Sequence, residues 1–319
     1  MRIAVLALNG VFDTGLATVL DALGTANELA AMQAHAASPF RVTVVGVRTR
    51  VETSKGLRVP IAAIERMQRP DWVVVPALGY KMPETLLPAL KRREVDDAIN
   101  VLRAWTSRGS KVAAACIGTF VLAESGLLNQ HDATTTWWLA PLFRQRYPTV
   151  RLDASRMIVP SGAVLTAGAA LSHIDMMLWL IRQVSPALAS LTAKYLVTDS
   201  RPSQSAYAIS DHLAHADPLV AQFEDWARGR LANGFKMDEA ARALATSKRT
   251  LARRIAYVLG KTPLSYVKDL RVERAVHLLK TTDDTVDNVA SAVGYADGAT
   301  LRTLLRKRLG KGIRELRFS

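Results

Sequence analysis

Residues 237–260 read MDEAARALATSKRTLARRIAYVLG, and residues 286–310 read VDNVASAVGYADGATLRTLLRKRLG. Met237, Ala240, Ala241 and Leu244 of the first stretch recur in the second as Val286, Val289, Ala290 and Val293, offset by 49. Leu251, Ile255, Leu259 and Gly260 recur as Leu301, Leu305, Leu309 and Gly310, offset by 50. Both sets have helical spacing, so each stretch encodes two short amphipathic helices. Between them Ala245-Thr246 makes a turn, and Ser247 can cap Lys248–Leu259 through its side-chain oxygen. In the second copy Thr285 caps the first helix, Asp297 stands where Ser247 stood, and Gly294-Tyr295-Ala296 makes a turn one residue longer, which accounts for the change of offset. Gly260 and Gly310 stop the two second helices. A helix, a tight turn and a basic helix, written twice, are the pattern of two helix-turn-helix units and point to double-stranded DNA.

The outward faces carry the chemistry. In the first copy Lys248, Arg249, Arg253 and Arg254 lie away from Leu251, Ile255 and Leu259; in the second, Arg302, Thr303, Arg306, Lys307 and Arg308 do. Arg249 and Arg253 share one face, and guanidinium suits guanine O6 and N7. Lys248, Arg254, Arg306, Lys307 and Arg308 are expected to neutralise phosphates without reading sequence. Alone, Arg306-Lys307-Arg308 is ordinarily just a solvated face; two units in register give it weight. Pro263 to Lys280 joins the copies as a helix with Leu264, Val267, Leu270, Ala275, Leu278 and Leu279 on one stripe. It is a rod of roughly 27 Å that can hold both units on one face of DNA.

Bulk properties agree. The 319 residues carry 42 Lys plus Arg against 28 Asp plus Glu, a formal charge of +14, which suits a polyanion or an anionic membrane surface. The apolar start MRIAVLALNG is too short for a signal peptide or a membrane span, and no later stretch of about 20 residues is free of charge, so no membrane partner is expected. A single cysteine, Cys116, permits no internal disulfide and fits a reducing cytoplasm. No motif calls for a metal or another cofactor.

From residue 1 to about 185 the pattern changes. Ile3–Leu8, Val42–Val47, Trp72–Pro76, Val112–Ala115 and Val164–Ala167 read as strands alternating with Ala-rich helices. Apolar runs without alternation imply a parallel sheet covered on both faces, an α/β class followed by an all-α domain. Gly56–Pro60 reads as a small excursion. Residues 1–195 form the expected first domain, the polar 196–216 a linker, and 217–319 the second domain. Within the first, Val112-Ala-Ala-Ala-Cys116-Ile-Gly118 is strand, bend and helix start, the shape of a nucleophile elbow. Helix amides there would lower the thiol pKa and could bind an oxyanion or a ligand carboxylate.

Residues 217–319 resemble the AraC/XylS DNA-binding domain through Ser247 to Gly260, Pro263, Leu270-Arg-Val-Glu-Arg-Ala275, Leu278-Leu279 and Gly294-Tyr295. The resemblance implies base readers at Arg249, Ala252 and Arg253 in the first unit and at Ala299, Arg302 and Thr303 in the second. The second unit departs from that family: Leu301 and Leu305 replace aromatic core positions, and neither Ala299 nor Thr303 can make a bidentate base contact. The first unit is therefore expected to dominate sequence reading. Residues 1 to about 190 resemble the PfpI and class I glutamine amidotransferase-like fold, a flavodoxin-like, doubly wound parallel sheet. The matching segments are Asp71-Trp-Val-Val-Val-Pro76 with Gly79, Ala115-Cys116-Ile-Gly118, Leu122-Ala-Glu-Ser-Gly126 and Ala133-Thr-Thr-Thr-Trp137. Together the chain resembles a GlxA-type transcriptional regulator. That implies a cytoplasmic homodimer in which the first domain senses a small-molecule effector, such as an amino acid or other nitrogenous metabolite. It also implies activation through RNA polymerase.

Ile117 stands where active enzymes of the PfpI fold commonly place His, and Thr136 where related regulators often have His. His131 lies near in sequence, but His173 and Asp175, two apart on a helix, do not face each other. A structural or surface role is therefore expected for His173, and no catalytic residue is assigned to the degenerate elbow. The rival reading is a thiol-dependent amidase or glyoxalase-like hydrolase fused to a DNA-binding module. An effector cradled at the elbow would meet Cys116, Ile117, Gly118, Gly79, Thr135, Thr136 and Gly168, with Asp13 available to a ligand amine.

Overall fold

The computed structural model describes residues 1–34, 38–64, 67–199, 201, 203–204, 217–309 and 312–317. They fall into two compact units, Met1–Ser205 and Ala206–Ser319.

The first unit is built on β1 (Arg2–Leu6), β2 (Arg41–Gly46), β6 (Trp72–Val75), β7 (Lys111–Ala115) and β11 (Val164–Ala167), all parallel, in the order β2-β1-β6-β7-β11. That is the flavodoxin-like 2-1-3-4-5 order. Ile3 lies opposite Val42, and Val73 opposite Val112. Short β5 (Ala62–Ala63) extends the β2 edge, and β10 (Ile158–Ser161) adds an antiparallel edge beside β11. The excursion read from Gly56–Pro60 is the hairpin of β3 (Val51–Glu52) and β4 (Arg58–Val59). A further parallel pair, β8 (Asp132–Ala133) with β9 (Arg151–Leu152), lies outside the main sheet.

Side chains alternate across the sheet, so two cores form. Ala4, Leu6, Val73 and Val75 pack with α2 (Pro83–Leu90), α3 (Arg93–Ser107), α4 (Gly118–Glu124) and α5 (Ala140–Arg146). Ile3, Val5, Trp72 and Val74 pack with α1 (Asp13–Ala34), α6 (Ser172–Val184) and α7 (Pro186–Tyr195). Central-strand residues such as Val73 and Val74 are wholly buried, which is why they read as runs rather than alternations.

The second unit is helical: α8 (Pro218–Arg228), α9 (Met237–Ala243), α10 (Lys248–Leu259), α11 (Pro263–Thr281), α12 (Val286–Ala292), α13 (Gly298–Leu309) and α14 (Ile313–Arg317). It too has two cores, and α11 serves both. Its Tyr266, Val267 and Leu270 pack with Phe223, Leu251 and Ile255, whereas Val272, Ala275 and Leu279 pack with Val289, Leu301 and Leu305. The spacer is thus a shared beam of about 28 Å that holds both helix pairs.

The expected linker, 196–216, needs correction at its start. Leu196–Asp199, Arg201, Ser203 and Gln204 belong to the first unit, and Gln204 is 1% exposed within it. Residues 200, 202 and 205–216, like the helix stop expected at Gly310, lie outside the described residues.

Candidate functional site

The caps read from the sequence form hydrogen bonds. Ser247 Oγ accepts from Thr250 N (3.0 Å), Thr285 Oγ1 from Asn288 N (3.2 Å), and Asp297 Oδ1 from Thr300 N (2.7 Å). The second turn is one residue longer, but both begin alike. Ala245 (φ 47°) and Gly294 (φ 80°) both occupy the left-handed region, one position after the helix C-cap in each copy. Gly260 (φ 66°) ends α10.

The outward cations divide into two groups. Arg249, Arg253, Arg302 and Arg306 are exposed and make no hydrogen bond or ion pair among the described residues. Lys248 pairs with exposed Asp238 at 2.8 Å, a contact that water and salt weaken. Two of the residues expected to contact phosphates are held in ion pairs. Arg254 donates to Asp217 (2.5 Å), the buried carboxylate that also caps α8, and Arg308 pairs with Asp269 of α11 (2.9 Å), which Lys261 also engages. These guanidiniums are spent on tying helices together. The backbone of Lys307 is helical, but its side chain lies outside the described residues. Of the readers implied by resemblance, Ala252 is half-buried, while Ala299 and Thr303 are exposed; the Thr303 hydroxyl is taken up by the Ala299 carbonyl (3.0 Å).

The elbow has the expected backbone. Cys116 follows β7 at φ 53°, and α4 begins at Gly118. A side chain at Gly118 would press on the Val75 and Pro76 carbonyls at 2.5–2.6 Å, so helix and strand meet here only through glycine. The environment corrects the expected thiol. Cys116 is 4% exposed, and burial pushes its pKa up, a shift only partly opposed by backbone groups at Ala170 and Ile117, the Thr136 hydroxyl and Lys81. Desolvation of a thiolate outweighs the helix start. Thr119 Oγ1 donates to the Cys116 carbonyl (2.6 Å) and meets Thr135 Oγ1 (2.6 Å), which locks the bend. Thr136 Oγ1 is buried with no hydrogen-bond partner.

Among the described residues, none of the candidate histidines serves this thiol as a base. His173 is buried; its Nδ1 donates to the Ala170 carbonyl (2.6 Å) and its Nε2 accepts from Ala77 N (3.2 Å). Burial pushes its pKa down to about 4, so it is a neutral strut between two loops. Asp175 pairs with Arg201 instead, and His131 meets Ser161 (3.0 Å).

The other expected effector residues are mostly committed to packing. Asp13 accepts from Thr53 and from Ser54 (2.7 Å); burial raises its carboxyl, but these hydrogen bonds outweigh it and hold the pKa below the ordinary value. Gly79 is packed against Ser54, and Gly168 against Gln204, whose Oε1 lies 2.5 Å from where a Cβ would stand. Ile117 is core. Sequence reasoning missed Gln204. Its amide accepts from Ala169 N (2.8 Å) and donates to the Thr135 (2.8 Å) and Ala154 (2.9 Å) carbonyls, closing the space beside Gly168. Among the described residues no cluster of metal-ligating side chains occurs, and no helix is long and apolar enough to cross a membrane.

Comparisons with known proteins agree with this architecture. Residues 1–183 match the DJ-1/PfpI family, and residues 240–318 match a helix-turn-helix domain. The HTH-type transcriptional regulator GbdR of Pseudomonas aeruginosa is 24% identical over 226 residues, covering 69% of this chain and 61% of that protein. The HTH-type transcriptional regulator CdhR of the same species is 27% identical over 243 residues (73% and 68%). The HTH-type transcriptional regulator GlxA of Rhizobium meliloti is 26% identical over 220 residues (62% of each). The chain thus spans about three fifths of the length of the first of these relatives. Among solved structures, a putative transcriptional regulator from Vibrio parahaemolyticus superposes with a TM-score of 0.51 at 24% identity, covering 61% of this chain and 98% of that one. At that identity the likeness shows the fold alone. The chain belongs to the DJ-1/PfpI family, and it joins that domain to an AraC-type helix-turn-helix domain in the manner of GlxA-type regulators.

Proposed function

We propose that this chain is a sequence-specific DNA-binding transcriptional regulator, acting as a cytoplasmic homodimer, whose first unit senses a small metabolite. The observation that carries the reading is the pair of capped helix-turn-helix units on one shared beam, with Arg249 and Arg253 exposed and uncommitted near the start of α10. Recognition helices read bases from their N-terminal residues, and side chains already held in ion pairs are less free to do so. Activation through RNA polymerase follows from the resemblance to AraC-type regulators. Selection of bound duplexes from a random library by the full chain is expected to enrich two boxes about one helical turn apart, the spacing of successive major-groove entries. Enrichment of no sequence would remove the reading.

We further infer that the elbow performs no thiol chemistry. A nucleophilic cysteine needs a base within hydrogen-bond reach and a thiolate at neutral pH, whereas Cys116 is buried, shifted up and followed by Ile117. Iodoacetamide labelling of the native chain at pH 7.5 is expected to be far slower than that of a free thiol. Rapid alkylation would reopen the hydrolase reading.

A further inference from the structure

A cavity of about 440 Å³ opens between β10, α6 and α7, on the side of the sheet away from α4. Arg156, Arg182 and Arg201 line it, with one carboxylate, Asp175, and an apolar wall of Ile158 and Trp179. Trp179 is held edge-on against Trp72 with ring centroids 6.1 Å apart, so that wall is fixed by the core. Three guanidiniums facing one carboxylate leave an excess of positive charge. Arg201 Nη2 donates to Asp175 Oδ2 (2.5 Å) and to the Leu171 carbonyl (3.0 Å), while its Nε is buried with no partner. Planar guanidiniums bind carboxylates and phosphates through paired N–H donors, and here one such donor is desolvated and unused.

The cavity wall continues into the chain that leads to the second unit. Arg201 lines the cavity, Ser203 bridges to Arg156 and donates to the Ser155 carbonyl (2.8 Å), and Gln204 is buried beside Gly168. Most of the residues proposed for the elbow site, by contrast, are occupied by hydrogen bonds and packing, the buried Thr136 hydroxyl excepted.

We propose that this cavity is the effector site and that it takes a small anionic metabolite, bearing a carboxylate or a phosphate, on Arg156, Arg182 and Arg201. The proposal rests on the sensor reading given above. An anion seated there satisfies Arg201 Nε and competes with Asp175 for the guanidinium. It thereby alters how Arg201, and with it Ser203 and Gln204, is held, and these residues precede the DNA-binding unit in the sequence.

The test is thermal unfolding of the full chain in sodium succinate, sodium citrate or inorganic phosphate, against sodium chloride at equal ionic strength and choline chloride as a cationic control. Near saturation at least one anion is expected to raise the Tm by roughly 5–10 °C. The carboxylate and phosphate arms tell the two ligand chemistries apart. The rise should disappear in the double variant Arg156→Gln, Arg182→Gln, whose side chains are exposed and do not hold Asp175. It should persist in Cys116→Ser and in the double variant Arg302→Gln, Arg306→Gln, which removes both uncommitted cations of α13 among the described residues. A rise that survives the Arg156→Gln, Arg182→Gln variant, a rise abolished by Cys116→Ser, or no rise with any anion overturns the proposal. A rise that behaves as expected while DNA affinity is the same with and without the anion keeps the site and overturns the sensor reading instead.

Discussion

The two halves of the helical unit share a scaffold and differ in what they show to solvent. Both second helices are capped by a short polar side chain, both turns pass through a left-handed residue at the same position, and both bury leucine or isoleucine on one face of the second helix. Each also uses one arginine, Arg254 or Arg308, to hold a carboxylate on another helix. The uncommitted cations are placed differently. Arg249 and Arg253 are the second and sixth residues of α10, while Arg302 and Arg306 are the fifth and ninth of α13. A shift of three residues turns the cationic face by about 60° and moves it about 4.5 Å along the axis. The first half therefore presents guanidiniums where a recognition helix meets bases, and the second presents them farther along, where backbone contacts suit them better. A repeated fold can thus keep its internal bonds while its two outer faces take up different work.

The largest effect expected of any single change falls on the turn. Gly294 combines φ 80° with close approach to the Leu231 carbonyl and the Arg271 guanidinium, so Gly294→Ala should cost about 3 kcal/mol or more. In the first copy the same position already carries a side chain, and Ala245→Gly should stabilise by about 1 kcal/mol. Equilibrium urea unfolding measures both, and equal losses in the two variants would break the comparison. Next in size, Arg253→Ala should lose about 1–3 kcal/mol of discrimination at a single base pair while affinity for non-cognate DNA changes little. Competition between matched and mismatched duplexes reads this directly. Ser247→Ala and Asp297→Ala should each cost about 1 kcal/mol, alike in the two copies because the caps are alike. A twofold difference in their unfolding free energies would show that the scaffold has diverged as well. The smallest effect is expected for Arg306→Ala, which should weaken every sequence by a similar factor.

Much of this was legible in the sequence because it is local. Helical spacing, the caps at Ser247, Thr285 and Asp297, and the longer second turn all depend on residues within a few positions of one another. The bend at Cys116 was legible for the same reason. What was hidden depends on distant partners. Asp217 lies far from Arg254 in the chain, so a guanidinium that looked available for phosphate is engaged by a helix cap. Gln204 sat in a polar stretch that read as linker, and only folding brings it against Gly168. The thiol was expected to be lowered by a helix start, yet burial decides its pKa, and burial is a property of the assembled core. Strand β10 escaped notice because Pro160 interrupts it; as an edge strand it tolerates a residue without an N–H.

Unequal labour between the two helix-turn-helix units is the central claim, and binding isotherms of the full chain across a salt series test it most directly. Arg253→Ala and Arg306→Ala would be compared with the unaltered chain on matched and singly mismatched duplexes. Arg306→Ala should lower affinity for all sites alike and reduce the salt slope by about one. Arg253→Ala should flatten the difference between matched and mismatched sites at one position. If Arg306→Ala abolished discrimination at a base pair while Arg253→Ala weakened all sites equally, the assignment of roles would be contradicted.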